Sequence, residues 1–200
     1  LLIELHSRGF PIVLMGQMPD TVIPYVDANV TLGAETAVNH LVSRGYSRIG
    51  MITNASFRYA TARQRRDGYC QALKAANYDI DETLIRQGDY TPASGCEAMN
   101  TLLDAPDRPD AVFVASDVVA IGAMQAVKQR GLRIPQDIAI IGFDDIPTAG
   151  HLDPPLTTIR LPAFGIGWAA GERAIRLILG EELEAQGVLL ETELVIRQST

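Results

Sequence analysis

LRIPQDIAIIGFDDI, residues Leu132–Ile146, is the most diagnostic segment of this chain. Its pattern is typical of a helix end, a tight turn and a buried strand. Ile138–Phe143 carries no charge and no polar alternation, which predicts a central parallel strand covered on both faces. In open α/β sheets, ligands bind just outside the carboxyl ends of the strands. Asp144 and Asp145 follow this strand at once and are therefore candidate ligand contacts.

The same alternation of strand and helix patterns extends toward the beginning of the chain. Short apolar runs predict strands at residues 12–15, 49–53, 84–88 and 111–115. Between the strands, apolar residues recur at helical spacing, as in Ala34, Ala37, Val38 and Leu41. This order of units predicts an α/β fold with a mostly parallel, doubly wound sheet and helices on both faces.

The rhythm changes after Asp145. Residues 151–162 contain Pro154, Pro155 and Pro162, which predicts an extended crossover between two lobes. A helix with Phe164 and Trp168 on one stripe follows, and Val188–Arg197 has the pattern of a strand. A late helix and strand suit two lobes that exchange chain segments.

Composition excludes several classes of function for these 200 residues. The net charge of −7 gives no basic footprint for nucleic acid. No apolar run approaches the roughly 20 residues of a membrane span, so we expect no membrane partner. Cys70 and Cys96 are isolated in helical patterns, which predicts reduced core thiols and fits a cytoplasmic protein. Leu1–Gly9 is typical of the last turns of a helix, so we expect a fragment that lacks its N-terminal part.

Polar and aromatic residues follow the predicted strands where a parallel sheet would bring them to one edge. They are Thr61 and Arg65, then Asp89 and Tyr90, Ser116 and Asp117, and Asp144 and Asp145. Carboxylates accept hydrogen bonds, a guanidinium donates several, and a tyrosine ring offers an apolar face. This set suits a polyhydroxylated molecule such as a sugar better than a nucleotide, whose phosphates would face the carboxylates.

Other interpretations of these residues stay open. Asp117 could serve as a helix N-cap, alone or together with a ligand role. Tyr90 could pack in its loop, and Arg65 could be a solvated helix residue. Asp89 and Asp145 are better explained as turn or cap residues than as ligand contacts.

Motifs for catalysis or metal binding are missing from the sequence. His6, His40 and His151 lie far apart, and His40 is better explained by a surface or packing role. There is no HxxEH or CxxC spacing and no phosphate-binding P-loop. We therefore predict no catalytic residue, no metal site and no cofactor.

Nine motifs in order resemble the effector-binding core of the LacI/GalR family of transcriptional regulators. Their likeness spans nearly the whole chain, and they are Gly9–Met15, His40–Ile52, Arg65–Tyr69, Gly88–Gly95, Ala115–Ala123, Gly131–Asp137, Ile141–Asp145, Pro154–Arg160 and Glu193–Arg197.

This resemblance implies a periplasmic-binding-protein-like fold with two Rossmann-like lobes, each a parallel sheet flanked by helices. The N-terminal lobe would comprise residues 1–46 and 158–180 and would be incomplete. The C-terminal lobe would comprise 47–157 and 181–200. The family's helix-turn-helix domain is absent from this sequence, so operator DNA would be bound only through that missing domain. The resemblance also implies a homodimer with a small-molecule effector between the lobes.

The family's effector contacts match Thr61, Arg65, Tyr90, Asp117 and Asp144, all of which are among the residues that follow the predicted strands. One position departs from the family, because many members have an Asp-Asn pair where this chain has Asn29 and Val30.

The sequence therefore predicts the sugar-sensing core of a bacterial transcriptional regulator. A periplasmic sugar-binding component of a transporter is the first alternative. An enzyme acting on sugars is the second, and the missing nucleophile and base argue against it.

Overall fold

Strands and helices alternate over residues 1–18, 20–183 and 186–200, which are those that the computed structural model describes. The strands are β1 (Leu14–Met15), β2 (Tyr25–Ala28), β3 (Ile49–Ile52), β4 (Ile85–Arg86), β5 (Ala111–Val114), β6 (Ala139–Asp144), β7 (Thr157–Arg160), β8 (Gly187–Leu190) and β9 (Glu193–Val195). The helices are α1 (Leu2–Ser7), α2 (Val30–Ser43), α3 (Ala60–Ala75), α4 (Pro92–Leu103), α5 (Asp117–Gln129) and α6 (Ala163–Ile178). This order confirms the predicted α/β class.

The larger sheet has the strand order β4-β3-β5-β6-β7-β9. All neighbouring strands in it run parallel except β7 and β9, which are antiparallel. Every residue of β3 and β5 is buried, and so is every residue of β6 except Asp144. The uncharged run that the sequence shows is thus a central strand of a parallel sheet, as predicted.

Helices cover both faces of this sheet. On one face, Ile52, Val112 and Ile140 share a buried apolar cluster with residues of α4 and α5. On the other face, α3 packs on α2 and its Tyr69 hydroxyl donates to the Ile49 carbonyl at 2.7 Å. A Cβ on Gly68 would lie 2.1 Å from the Thr31 carbonyl, so glycine is required where these two helices meet.

The smaller sheet is parallel and has the order β1-β2-β8. Ile23, Val26 and Ala28 are buried beside it, together with Ile166 and Ala170 of α6. Large apolar side chains on the other side of α6 are exposed to solvent, with the rings of Phe164 and Trp168 stacked 6.1 Å apart. The predicted apolar stripe of this helix is therefore exposed, and a different side of the helix, with Ile166 and Ala170, is buried.

Two compact units emerge from the packing, and their bounds differ from those of the predicted lobes. Unit 1 comprises Leu1–Asn29 and Leu161–Thr192, and unit 2 comprises Val30–Arg160 and Glu193–Thr200. Residues 30–46, predicted for the N-terminal lobe, belong to unit 2 because α2 packs against α3. Residues 184 and 185 of the predicted C-terminal lobe lie outside the described residues.

The predicted continuous strand at Val188–Arg197 is wrong. β8 pairs with β2 in unit 1, whereas β9 pairs with β7 in unit 2. The chain therefore passes from one unit to the other between Thr192 and Glu193. An apolar pattern does not show which sheet a strand joins, so the sequence could not reveal this division.

Candidate ligand-binding site

Arg65 is a buried cation at the carboxyl edge of the larger sheet. α3 follows β3 and carries this side chain over the sheet, where it is 6% exposed. One terminal nitrogen donates to the Ala115 carbonyl at 2.7 Å, and the other lies 3.2 Å from Oδ1 of Asp144. The guanidinium also sits 4.2 Å from the centre of the Phe143 ring, a favourable cation–π distance. The interpretation of Arg65 as a solvated helix residue is therefore wrong.

Asp144 is the partner of this cation and closes β6. Its Oδ2 accepts a hydrogen bond from the Ser116 hydroxyl at 3.0 Å. Burial raises the pKa of the Asp144 carboxyl, whereas the Arg65 charge and the Ser116 hydroxyl act in the opposite direction. The side chain remains 25% exposed, so part of the carboxylate is open to an incoming ligand.

Asp117 is fully buried, and its carboxylate bridges neighbouring segments of unit 2. Oδ1 accepts from the Thr158 hydroxyl at 2.7 Å, and Oδ2 accepts from the Ile146 backbone N–H at 3.0 Å. Burial raises the pKa of this carboxyl to about 7. A Cβ on residue 142 would lie 2.1 Å from Oδ1, so Gly142 makes the room that the carboxylate occupies.

These bonds correct the interpretation of Asp117 as an N-cap. Ser116 holds the N-cap position, and Asp117 is the first residue of α5. Its side chain bonds to residues outside the helix instead of to the free N–H groups of the first turn. Direct ligand contact by Asp117 stays a prediction.

Two tyrosines lie beside each other at the same edge. Tyr90 is 52% exposed and follows β4, and its ring centre is 6.5 Å from that of Tyr59 in an edge-on arrangement. Tyr59 is also exposed and precedes the first turn of α3, where Thr61 is half-buried. Tyr59 was not among the residues that the sequence predicts for the site. Its position in the loop after a predicted strand was the only available indication.

Backbone strain is concentrated at this edge. Among the described residues, five that are not glycine have positive φ, and three of them are Tyr90 (+67°), Asp144 (+117°) and Asp145 (+56°). Side chains are disfavoured in this region, and such residues cluster at functional sites. The strained residues here include two of the predicted ligand contacts.

Asn54 is a second residue that sequence analysis missed. It follows β3 and is buried, and its backbone carbonyl accepts from the Tyr90 N–H at 2.9 Å. Its Oδ1 and the Nε of Arg65 are buried polar atoms without a hydrogen-bond partner. Such atoms are uncommon in folded proteins. Because asparagine after a strand is also an ordinary turn residue, the sequence held no specific sign of Asn54.

The edge thus offers donors, acceptors and aromatic faces. The Ser116 hydroxyl donates to the carboxylate of Asp144 and not to a histidine base. Within residues 1–18, 20–183 and 186–200, no group of three or more His, Cys, Asp or Glu side chains could hold a metal ion. Over the same residues, no helix combines the length and apolar character needed to cross a bilayer. The arrangement can bind and orient a small polar molecule.

Comparison with known families defines the class of protein. The profile of a periplasmic binding protein-like domain matches residues 38–200. A LacI-family regulatory protein from Chloroflexus aggregans has a solved structure that superposes with a TM-score of 0.94 at 35% identity, over 99% of this chain and 71% of that one. The chain belongs to the LacI family of transcriptional regulators, within its periplasmic-binding-protein-like part, as the nine motifs predict.

Two further relatives are regulators of the same kind. The transcriptional repressor CytR of Escherichia coli (strain K12) is 39% identical over 202 residues, which cover 98% of this chain and 58% of CytR. The solved complex of the transcriptional regulator CelR with cellobiose has a TM-score of 0.91 at 36% identity, covering 98% of this chain and 61% of that one. The chain thus spans little more than half the length of CytR. These relatives are regulators and not enzymes, in agreement with the prediction.

Proposed function

We propose that this chain is the effector-sensing core of a transcriptional regulator and binds a sugar or sugar derivative at the carboxyl edge of the larger sheet. The observation that carries the proposal is the buried Arg65–Asp144 pair, whose carboxylate remains partly open to solvent beside the exposed Tyr90 ring. A permanently charged donor and a charged acceptor, held side by side, suit adjacent hydroxyl groups.

Each contact has a chemical role in the proposed complex. Asp144 accepts hydrogen bonds from ligand hydroxyls, Arg65 donates to ligand oxygens, and Tyr90 packs against an apolar ring face. Thr61 supplies a hydroxyl from the first turn of α3. Asp117 holds Thr158 and the loop after Asp145 in place. Cellobiose, the ligand in the CelR complex, is a polyhydroxylated molecule of this class and supports the assignment to sugars.

Regulation would follow from a ligand that binds one arrangement of the protein better than another. Couplings of this kind are typically about 1–3 kcal/mol. We propose that the preference passes through a homodimer to a DNA-binding domain outside this chain, and that the protein works in the cytoplasm. The names of the relatives support a regulator over a periplasmic transport component, because CytR and CelR are both HTH-type regulators.

A thermal-shift screen tests the sugar assignment. The panel contains mono- and disaccharides including cellobiose, sugar phosphates, and purines, each at about 100 times an expected micromolar Kd. A ligand that binds only the folded state raises Tm by mass action, and stabilisation reaches about 2.7 kcal/mol at 100 times Kd. We expect a rise with one class of neutral sugar.

The control for this screen is the Asp144→Ala variant, which should melt cooperatively but lose the shift. A shift with purines and not with sugars would contradict the proposed ligand class. An equal shift in wild type and Asp144→Ala would contradict the proposed site.

A further inference from the structure

We propose that Asp145 is a positioning residue. Its carboxylate holds the two segments in which the chain leaves unit 2, after Arg160, and returns to it, at Glu193. It links both segments to the end of β6, which carries the proposed ligand contact Asp144. Asp145 was predicted to be a turn or cap residue. Its side chain is instead 9% exposed and accepts charged hydrogen bonds from two arginines. Oδ2 lies 2.8 Å from Nε of Arg160, and Oδ1 lies 2.6 Å from a terminal nitrogen of Arg197.

The two arginines belong to the segments that connect the units. Arg160 ends β7 and is the last residue of unit 2 before the chain enters unit 1 at Leu161. The chain returns to unit 2 at Glu193, which begins β9, and Arg197 follows this strand. A single carboxylate therefore holds both the outgoing and the returning segment.

Further bonds complete this cluster. Arg160 also donates to Oε2 of Glu193 at 2.7 Å, directly across the β7–β9 pair. Arg197 donates to the Leu156 carbonyl at 2.7 Å, and its own N–H donates to the Thr157 hydroxyl at 3.0 Å. Because Arg197 is fixed at both backbone and side chain, the position of Asp145 determines where the two segments meet.

The adjacent residues Asp144 and Asp145 bond to different sets of side chains. The Asp144 side chain turns to Arg65 and Ser116, whereas the Asp145 side chain turns to Arg160 and Arg197. Both residues have positive φ, so the backbone between the two carboxylates is held in an unusual conformation. The proposed ligand contact is therefore adjacent in the chain to the residue that holds both connecting segments. The link to ligand rests on the proposed function, but the anchoring itself does not.

Amide hydrogen exchange of the ligand-free protein tests the anchoring. Asp145→Asn keeps the shape of the side chain but removes the charge and turns an amide donor toward an arginine. We expect the amides of residues 158–161 and 191–197 to exchange about tenfold faster, because local opening there loses its charged hydrogen bonds. The amides of α3, which carries Arg65, should exchange as in wild type.

Three further variants separate positioning from general stability. Asp145→Glu restores the charge and should recover part of the protection. Asp137→Asn breaks a matched Asp–Arg pair at the opposite end of β6 and should leave both segments unchanged. Asp144→Asn should likewise leave them unchanged, because it breaks a different pair.

Unaltered exchange in both segments of Asp145→Asn would overturn the proposal, and so would a uniform rise across all of unit 2. If Asp145→Asn does not fold, Arg160→Lys and Arg197→Lys keep the charge and test each connection by itself. Each should raise exchange most in the segment that carries the substituted arginine, and protection equal to wild type in both variants would also overturn the proposal. Because no ligand is needed, failure here is distinguishable from failure of the sugar screen.

Discussion

The two edges of the larger sheet use the same residue types in opposite ways. At the amino edge, Asp110 accepts from the backbone N–H groups of Ser47 and Arg48, and Asp137 pairs with Arg133. Both carboxylates are partly exposed; Asp137 bonds within a local turn, and Asp110 bonds to the backbone that precedes β3. At the carboxyl edge, Asp117 and Asp144 are withdrawn from solvent and bonded to side chains from distant parts of unit 2.

The pKa directions follow this difference. Hydrogen bonds from Arg133 lower the pKa of Asp137 to about 2, whereas burial raises that of Asp117 to about 7. Burial also raises the pKa of Asp144. A carboxyl group that stabilises the fold near solvent ionises at little free-energy cost, whereas ionisation costs more for one that is withdrawn into a ligand site or a buried network. The raised pKa values of Asp117 and Asp144 support the proposal that the carboxyl edge holds the ligand site.

The largest expected effect is on ligand affinity. Asp144→Ala should weaken binding of the best sugar in the screen about 100-fold, since a charged hydrogen-bond acceptor is lost and Arg65 stays buried without its partner. Isothermal titration calorimetry measures this change. Asp137→Ala, at the amino edge, is the matched control and should bind as wild type does. Equal losses in both variants would remove the functional distinction between the edges.

The second prediction concerns the pH dependence of stability, which should have opposite signs at the two edges. The folded state holds the Asp117 proton more tightly than the unfolded state does, so this stabilisation is present below pH about 4 and is lost as pH rises toward 7. Asp137 contributes stability above pH about 4, which is lost as pH falls toward 2.

Urea unfolding at pH 4 to 8 separates these contributions. In Asp117→Asn the amide oxygen can accept from the Ile146 N–H while the amide nitrogen donates to the Thr158 hydroxyl, so at pH 8 this variant should exceed wild type in free energy of unfolding by roughly 1–3 kcal/mol. The gain should shrink toward pH 4. Asp137→Asn should instead lose stability relative to wild type at neutral pH. A constant difference between Asp117→Asn and wild type across this range would contradict the raised pKa.

The smallest expected effect concerns the exposed aromatic ring. Tyr90→Ala should reduce sugar affinity about fivefold, in line with the modest value of a half-exposed stacking contact. Its control is Tyr46→Ala, which removes a tyrosine that precedes β3 at the amino edge. Calorimetry with the same sugar gives the comparison, and a loss no greater than that of the control would exclude Tyr90 from the site.

Sequence patterns were sufficient for the sheet and for the Arg65–Asp144 pair. A parallel sheet aligns the carboxyl ends of its strands, so placing each residue after a buried run also placed it near the others. The sequence predicted that Asp117 lies at this edge, but it did not predict its hydrogen bonds, because Thr158 and Ile146 reach it only through tertiary packing.

Other features depend on contacts that no local pattern contains. The apolar face of α2 predicts burial but does not show that α3 covers it. Likewise, nothing near Tyr59 or Asn54 distinguishes them from ordinary loop residues. The positive φ values of Tyr90 and Asp144 arise without glycine and are imposed by the surrounding fold.

Gly142 has a consequence for how this sequence can change over time. Its missing side chain is the space into which Oδ1 of Asp117 fits, at 2.1 Å from where a Cβ would be. Any larger residue at position 142 would expel the carboxylate, and Thr158 and Ile146 would lose their acceptor. Substitutions at positions 117 and 142 are therefore coupled, and they should occur together in proteins that evolve from this chain.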